Sequence, residues 1–251
     1  MAELWKVTYY GLLTGIVGTG AGGIAACFVS GRNRRAVSFM LEYSGGLMMA
    51  VVCFDLLPGA FEHAPLSVVI SGVLAGVALM VLSEGLIARG NKDYEKADGG
   101  KRSGLRGTAV IIALGVAIHN FPEGLAVGSG FEAERELGIK LALAIMLHDV
   151  PEGMSIAVPL RAGGSGRMRA FLLALASGLP MGLGAFLGAL AGQVSPMFIA
   201  ACLSIAGGAM LYVVFADMIP ESKRTYGGRL GPAGSILGII TGFIVSTGLK
   251  L

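Results

Sequence analysis

Apolar residues in this chain come in long runs broken by short charged clusters. About 20 mostly apolar residues are needed for a helix to cross the hydrocarbon core of a bilayer. Eight stretches reach that length, at residues 7–29, 37–57, 66–88, 108–130, 138–160, 168–192, 196–219 and 232–249. The expected fold class is therefore all-α, a polytopic membrane protein with eight transmembrane helices. The first stretch is too long for a signal peptide, and Arg32, Arg34 and Arg35 follow it instead of preceding it.

Composition agrees with the pattern. Only 14% of the 251 residues are charged, against about 25% in soluble domains, so lipid must cover surface that charge would otherwise face. The 41 glycines suit helices that pack backbone to backbone where no hydrophobic force draws them together. Cys27, Cys53 and Cys202 lie in apolar stretches without a CxxC pair and read as small core residues. The net charge of +3 gives no reason to expect nucleic acid as a partner.

The positive charges are placed unevenly. Of the 19 lysines and arginines, only Lys6, Arg135, Lys140 and Lys250 lie on one side; the others fill the loops after spans 1, 3, 5 and 7. Cytoplasmic loops carry that excess, so both termini are expected outside, in a cytoplasmic (inner) membrane. The loop 89–107 is charged, glycine-bearing and free of histidine, and is expected to be mobile.

Two spans share a frame. Residues 44–58 (SGGLMMAVVCFDLLP) align without gaps on 206–220 (AGGAMLYVVFADMIP), with both glycines, the aspartate and the proline in common. The charge rule makes the two helices run in opposite directions. Inverted repeats of this kind build many secondary transporters. The expected layout is a single transmembrane domain over 1–251 with a 3+2+3 arrangement: repeat one at about 7–88, the cytoplasmic loop at 89–107, a central pair at 108–160 and repeat two at about 168–250.

The central pair carries the chemistry. Span 4 contains His119-Asn120-Phe121-Pro122-Glu123-Gly124 and span 5 contains His148-Asp149-Val150-Pro151-Glu152-Gly153. Histidine and glutamate four apart occupy one helix face, and two such faces opposed bring two imidazoles and two carboxylates together. That donor set suits zinc and neighbouring first-row dications. Each proline removes a helical hydrogen bond, which lipid tolerates only beside protein or a wet cavity. The histidines fall near the middle of their spans, where ionisable groups mark substrate paths.

At these residues the chain resembles the Zrt/Irt-like protein (ZIP) family of divalent-metal transporters, in its bacterial GufA-like branch. The resemblance implies a metal site, often binuclear, between spans 4 and 5. His119, Glu123, His148 and Glu152 would form its primary part, with Asn120 and Asp149 facing a second ion. It also implies a span-6 glutamate where this chain has Met181. A thioether is a poor ligand for such ions, so the second site is expected to be weak, absent or altered.

Further polar residues mark a route. Asp55, with Glu62 and His63 beyond it, is expected at the outer mouth, and Asp217 and Glu221, one helical turn apart, at the inner one. Glu84 is expected to pair with an arginine such as Arg89. The function expected is uptake of divalent transition-metal ions, zinc foremost, with Fe2+, Mn2+ or Cd2+ as other substrates. No Walker A motif is present, no organic cofactor is expected, and a homodimer stays open. The rival reading is an intramembrane metal-dependent hydrolase.

Overall fold

The computed structural model describes residues 2–28, 33–97 and 105–248, with side chains left out at 88, 90–97, 105–109 and 162. Its described residues fold as eight helical spans and no strand: Ala2–Ala25, Arg34–His63, Leu66–Ala97, Leu105–Ala133, Arg135–Ala162, Arg167–Gly192, Pro196–Thr225 and Leu230–Gly248. Seven are both long and apolar enough to cross a membrane. Span 1 has the length, 24 residues, but not the apolarity. Beyond Leu4 and Val7 its buried face is glycine and threonine (among them Gly11, Thr14, Gly15, Gly18, Thr19 and Gly22), which seat it against spans 5 and 6 rather than against lipid.

Three departures from the expected helices matter. Span 3 continues to Ala97, so the first half of the expected loop 89–107 is helix; residues 98–104 lie outside the described ones. Span 6 is two helices, Arg167–Ser177 and Leu179–Gly192, broken at Gly178 with Pro180 starting the second. Spans 2 and 7 each widen into a π-helical turn, at Val52–Leu56 and Val213–Met218, and these turns hold Asp55 and Asp217. A π-turn inserts a residue into the helix and is common at functional sites. Of the cysteines, only Cys202 is buried; Cys53 faces outward from its π-turn.

Packing follows the repeat. Span 2 packs on span 8 and, symmetrically, span 7 on span 3; span 4 packs on span 6 and span 5 on span 1. The correspondence holds residue by residue at one constant offset. A Cβ on Gly46 would overlap the Ser235 carbonyl, and one on its counterpart Gly208 would overlap that of Val73, the counterpart of Ser235. Gly238 against Tyr43 and Gly76 against Ile205 repeat the relation. The spans sort by depth: over their apolar windows spans 5 and 7 are 61% and 67% buried, spans 3 and 8 only 28% each. The first pair is therefore central, and the second faces outward.

Candidate metal site

Spans 4 and 5 stay helical through Pro122 and Pro151. Lacking N–H groups, these prolines leave the Ile118 and Leu147 carbonyls without their helical donors. The glycine that closes each frame has its own task. A side chain on Gly124 would overlap the backbone oxygen of Met181, and one on Gly153 that of Thr19. Spans 6 and 1 thus press directly onto the two frames, sealing them from lipid. Asn120, Glu123, His148, Asp149 and Glu152 are all 3% exposed or less, and His119 is 8% exposed.

Within this enclosure Glu123, His148, Asp149 and Glu152 each offer one ligand atom, and the four atoms lie within 4.8 Å of one another. Donors around a tetrahedral zinc with bonds of 2.0–2.2 Å lie about 3.4 Å apart, so small side-chain rotations close the cage. His148 Nε2 is 3.1 Å from Glu123 Oε1 and 3.6 Å from Asp149 Oδ1. His119 stands beside the group, its Nε2 2.9 Å from Glu152 Oε2. The pairing is crossed: each histidine meets the glutamate of the other span.

The unpaired atoms are more telling. Glu123 Oε2, His148 Nδ1, both oxygens of Asp149, Glu152 Oε1 and Asn120 Oδ1 are buried without a hydrogen-bond partner. Each such group costs on the order of 1–3 kcal/mol, more where charged, and three carboxyl groups share the space. A dication would meet these lone pairs and offset the charge together.

The residues at and around the site differ in their engagements. Asn120 donates through Nδ2 to the Ser177 carbonyl, 2.8 Å away, at the break in span 6, which leaves only its oxygen toward the site. Asp149 lies against Gly18 of span 1. Met181 is fully buried in the apolar core, and its carbonyl lies against Gly124. Ser44, in the repeat frame of span 2, donates to the His148 carbonyl at 3.0 Å; nothing in its spacing signalled this.

The outlying acids sit toward the two faces. Asp55 is buried and accepts a 2.8 Å bond from Ser246 of span 8. Glu62 is exposed, and His63 Nδ1 lies 2.9 Å from the Gly59 carbonyl of its own helix. Asp217 is exposed and within electrostatic reach of Glu84 and His119. Glu84 accepts from the Tyr212 hydroxyl at 2.8 Å rather than pairing with Arg89. Glu221 is held 3.4 Å from Arg224. A largely apolar cavity of about 300 Å³ opens between spans 2, 4, 5 and 7, running from Pro151 and Ser155 to Glu221 and Thr225.

Residues 87–250 match the family model described as ZIP Zinc transporter. The chain belongs to the ZIP family. Among curated ZIP proteins it is 42% identical to the zinc transporter GufA of Myxococcus xanthus over 143 residues, 57% of this chain and 56% of that one. It is 32% identical to the zinc transporter ZupT of Akkermansia muciniphila over 93% of both chains. To the human zinc transporter ZIP11 it is 40% identical over 71% of this chain and 51% of that one. The ZIP match begins in the last third of span 3, so it includes both frames of the central pair.

Proposed function

We propose that this ZIP protein carries divalent transition-metal ions, zinc foremost, across a cytoplasmic membrane in the direction of uptake. One observation supports this most: a set of carboxyl and imidazole donors, buried halfway through the bundle, with most of its lone pairs unanswered. The zinc transporters among its relatives make the ion cargo rather than a catalyst, so the hydrolase reading is dropped. Fe2+, Mn2+ and Cd2+ share the donor chemistry and are secondary substrates of the same site.

In this reading both termini face outward, and the ion is received at Asp55, with Glu62 and His63 at the rim. It loses water among His119, Glu123, His148, Asp149 and Glu152, with Asn120 contributing its free oxygen. It leaves toward Asp217 and Glu221 along the cavity beside Pro151. Met181, closed into the core, supplies no charge for a second ion, so that site is weak or missing. Protons compete with metal for the same donors, which lets a proton gradient assist release. The chain works as one transmembrane unit, two repeat blocks around the central pair, and a homodimer is compatible with this.

The deciding experiment is metal-specific flux into proteoliposomes containing the wild type, His119→Ala or Glu152→Ala. We expect flux in the wild type and strong loss in both variants. Equal flux in all three would defeat the site assignment, and no flux in the wild type would defeat transport.

A further inference from the structure

Away from the candidate metal site another acid is buried without a cation. Glu42 of span 2 is 4% exposed. Its Oε1 accepts from Ser222 of span 7 at 3.1 Å, and its Oε2 accepts from Ser235 of span 8. The Ser222 hydroxyl also lies 2.8 Å from that of Ser38, and Ser38 Oγ reaches the Tyr226 carbonyl at 3.2 Å. Among the described residues no lysine, arginine or histidine nitrogen lies within ion-pair distance of Glu42. Arg35 instead stacks over the Tyr226 ring, Arg224 is held by Glu221, and Lys223 and Arg229 are exposed. Three helices are thus tied by one carboxyl group on the arginine-rich side.

The repeat supplies an internal comparison. At the same offset that relates Gly46 to Gly208, the counterparts of Ser38, Glu42, Ser222 and Ser235 are Ala200, Ser204, Ala60 and Val73. There the end of span 2 closes on span 7 through a dry apolar contact: Ala60, Ala200 and Leu203 are fully buried in one cluster. Ser204 bonds only to its own helix, at Ala200 and Ala201. The fold therefore closes such an end with no acid at the position equivalent to Glu42, and Glu42 is not demanded by packing. Buried ionisable groups in membrane helices are costly and are kept for function.

The two closures also differ in how they can open. Carboxyl and hydroxyl groups that part from one another can exchange their bonds for bonds to water, so little net free energy is lost. Apolar surfaces that part gain nothing in return. We propose that Glu42 is the clasp of a gate on the arginine-rich side: through Ser222 and Ser235 it positions the segment Ile219–Thr225, which follows the π-turn of Asp217, and its release lets that segment move. The opposite segment, Leu57–His63, stays closed as a hinge-like apolar contact. The word gate rests on the transport reading above; the clasp itself does not.

Hydrogen–deuterium exchange on the full chain in lipid nanodiscs separates the two. In the wild type, Ile219–Thr225 should exchange faster than Leu57–His63. Glu42→Ala should speed exchange of Ile219–Thr225 about fivefold more, the factor the small net worth of a hydrogen bond supplies, and leave Leu57–His63 unchanged. Ser222→Ala should act in the same direction, and the double variant should add nothing to Glu42→Ala. Glu42→Gln, which keeps one acceptor oxygen, should restore part of the protection. If Glu42→Ala does not insert stably, the milder Ser222→Ala and Ser235→Ala carry the same expectation. Unchanged exchange of Ile219–Thr225 in the folded variants overturns the clasp. In proteoliposomes the maximal flux of Glu42→Ala should fall with KM unchanged, since Glu42 touches no cargo; a shift in KM alone overturns the gating role. Absent flux in the wild type defeats transport and leaves the exchange result standing.

Discussion

At the scale of single residues, the central question is what a buried donor does when nothing answers it. Asp149 presents two such oxygens and lies within the ligand group. Asp149→Asn keeps its shape and removes its charge, so affinity for a divalent ion should fall at least about tenfold. The same titration should show affinity rising with pH in the wild type, because every donor must lose its proton to bind. Affinity that is independent of both the substitution and pH would remove Asp149 from the site. That His119, Glu123, His148 and Glu152 come together was readable from two matched six-residue frames, because helical spacing alone puts their histidines and glutamates on one face. The division of labour was not. That His119 leans on Glu152, that Asn120 spends its nitrogen on Ser177, and that Ser44 holds the His148 carbonyl depend on which faces meet after packing. Glu42 was missed for the same reason: its partners lie 180 and 193 residues away.

At the scale of helices, close approach does what hydrophobic force cannot do in lipid. Span 6 reaches span 4 at Gly124, and span 1 reaches span 5 at Gly153, each against a backbone oxygen that has nowhere to move. Gly124→Ala and Gly153→Ala should therefore lower stability by about 1–3 kcal/mol, as overpacking does, and Tm in detergent should fall. Gly115→Ala serves as the control: nothing lies within 4 Å of its added methyl, so it should be neutral or slightly stabilising. Equal Tm changes in all three would mean that the tight crossings are not where stability is set. Hydropathy found the spans because burial in lipid is written in composition. It could not find the π-turns at Asp55 and Asp217, since an extra residue in a turn leaves composition unaltered. The break at Gly178 was hidden in the same way, because its Gly-Leu-Pro lies inside an unbroken apolar run.

At the scale of the whole molecule, the count of crossings decides the geometry. Span 1 has the length to cross but falls short of the apolarity of the other seven. If it crosses, the number is even and both ends of the chain emerge on one side. Tags at either terminus should then react with a membrane-impermeant reagent applied outside intact cells. Reaction at the C-terminus alone would mean that span 1 does not cross. Its glycine-rich contacts with spans 5 and 6 favour crossing, because helices it touches along its length must cross with it. The GG…D..P frame gave the repeat. That spans 3 and 8 correspond residue by residue, where no shared motif announces it, became visible only through the glycine contacts.

The paired π-turns bear on the history of the chain. Both sit at matching positions in the two halves, each enclosing the aspartate and each followed by the proline. A one-residue insertion arising twice at the same spot is far less economical than one inherited twice. Parsimony therefore places the widened turn before the duplication that produced the two repeats, which makes Asp55 and Asp217 descendants of one residue.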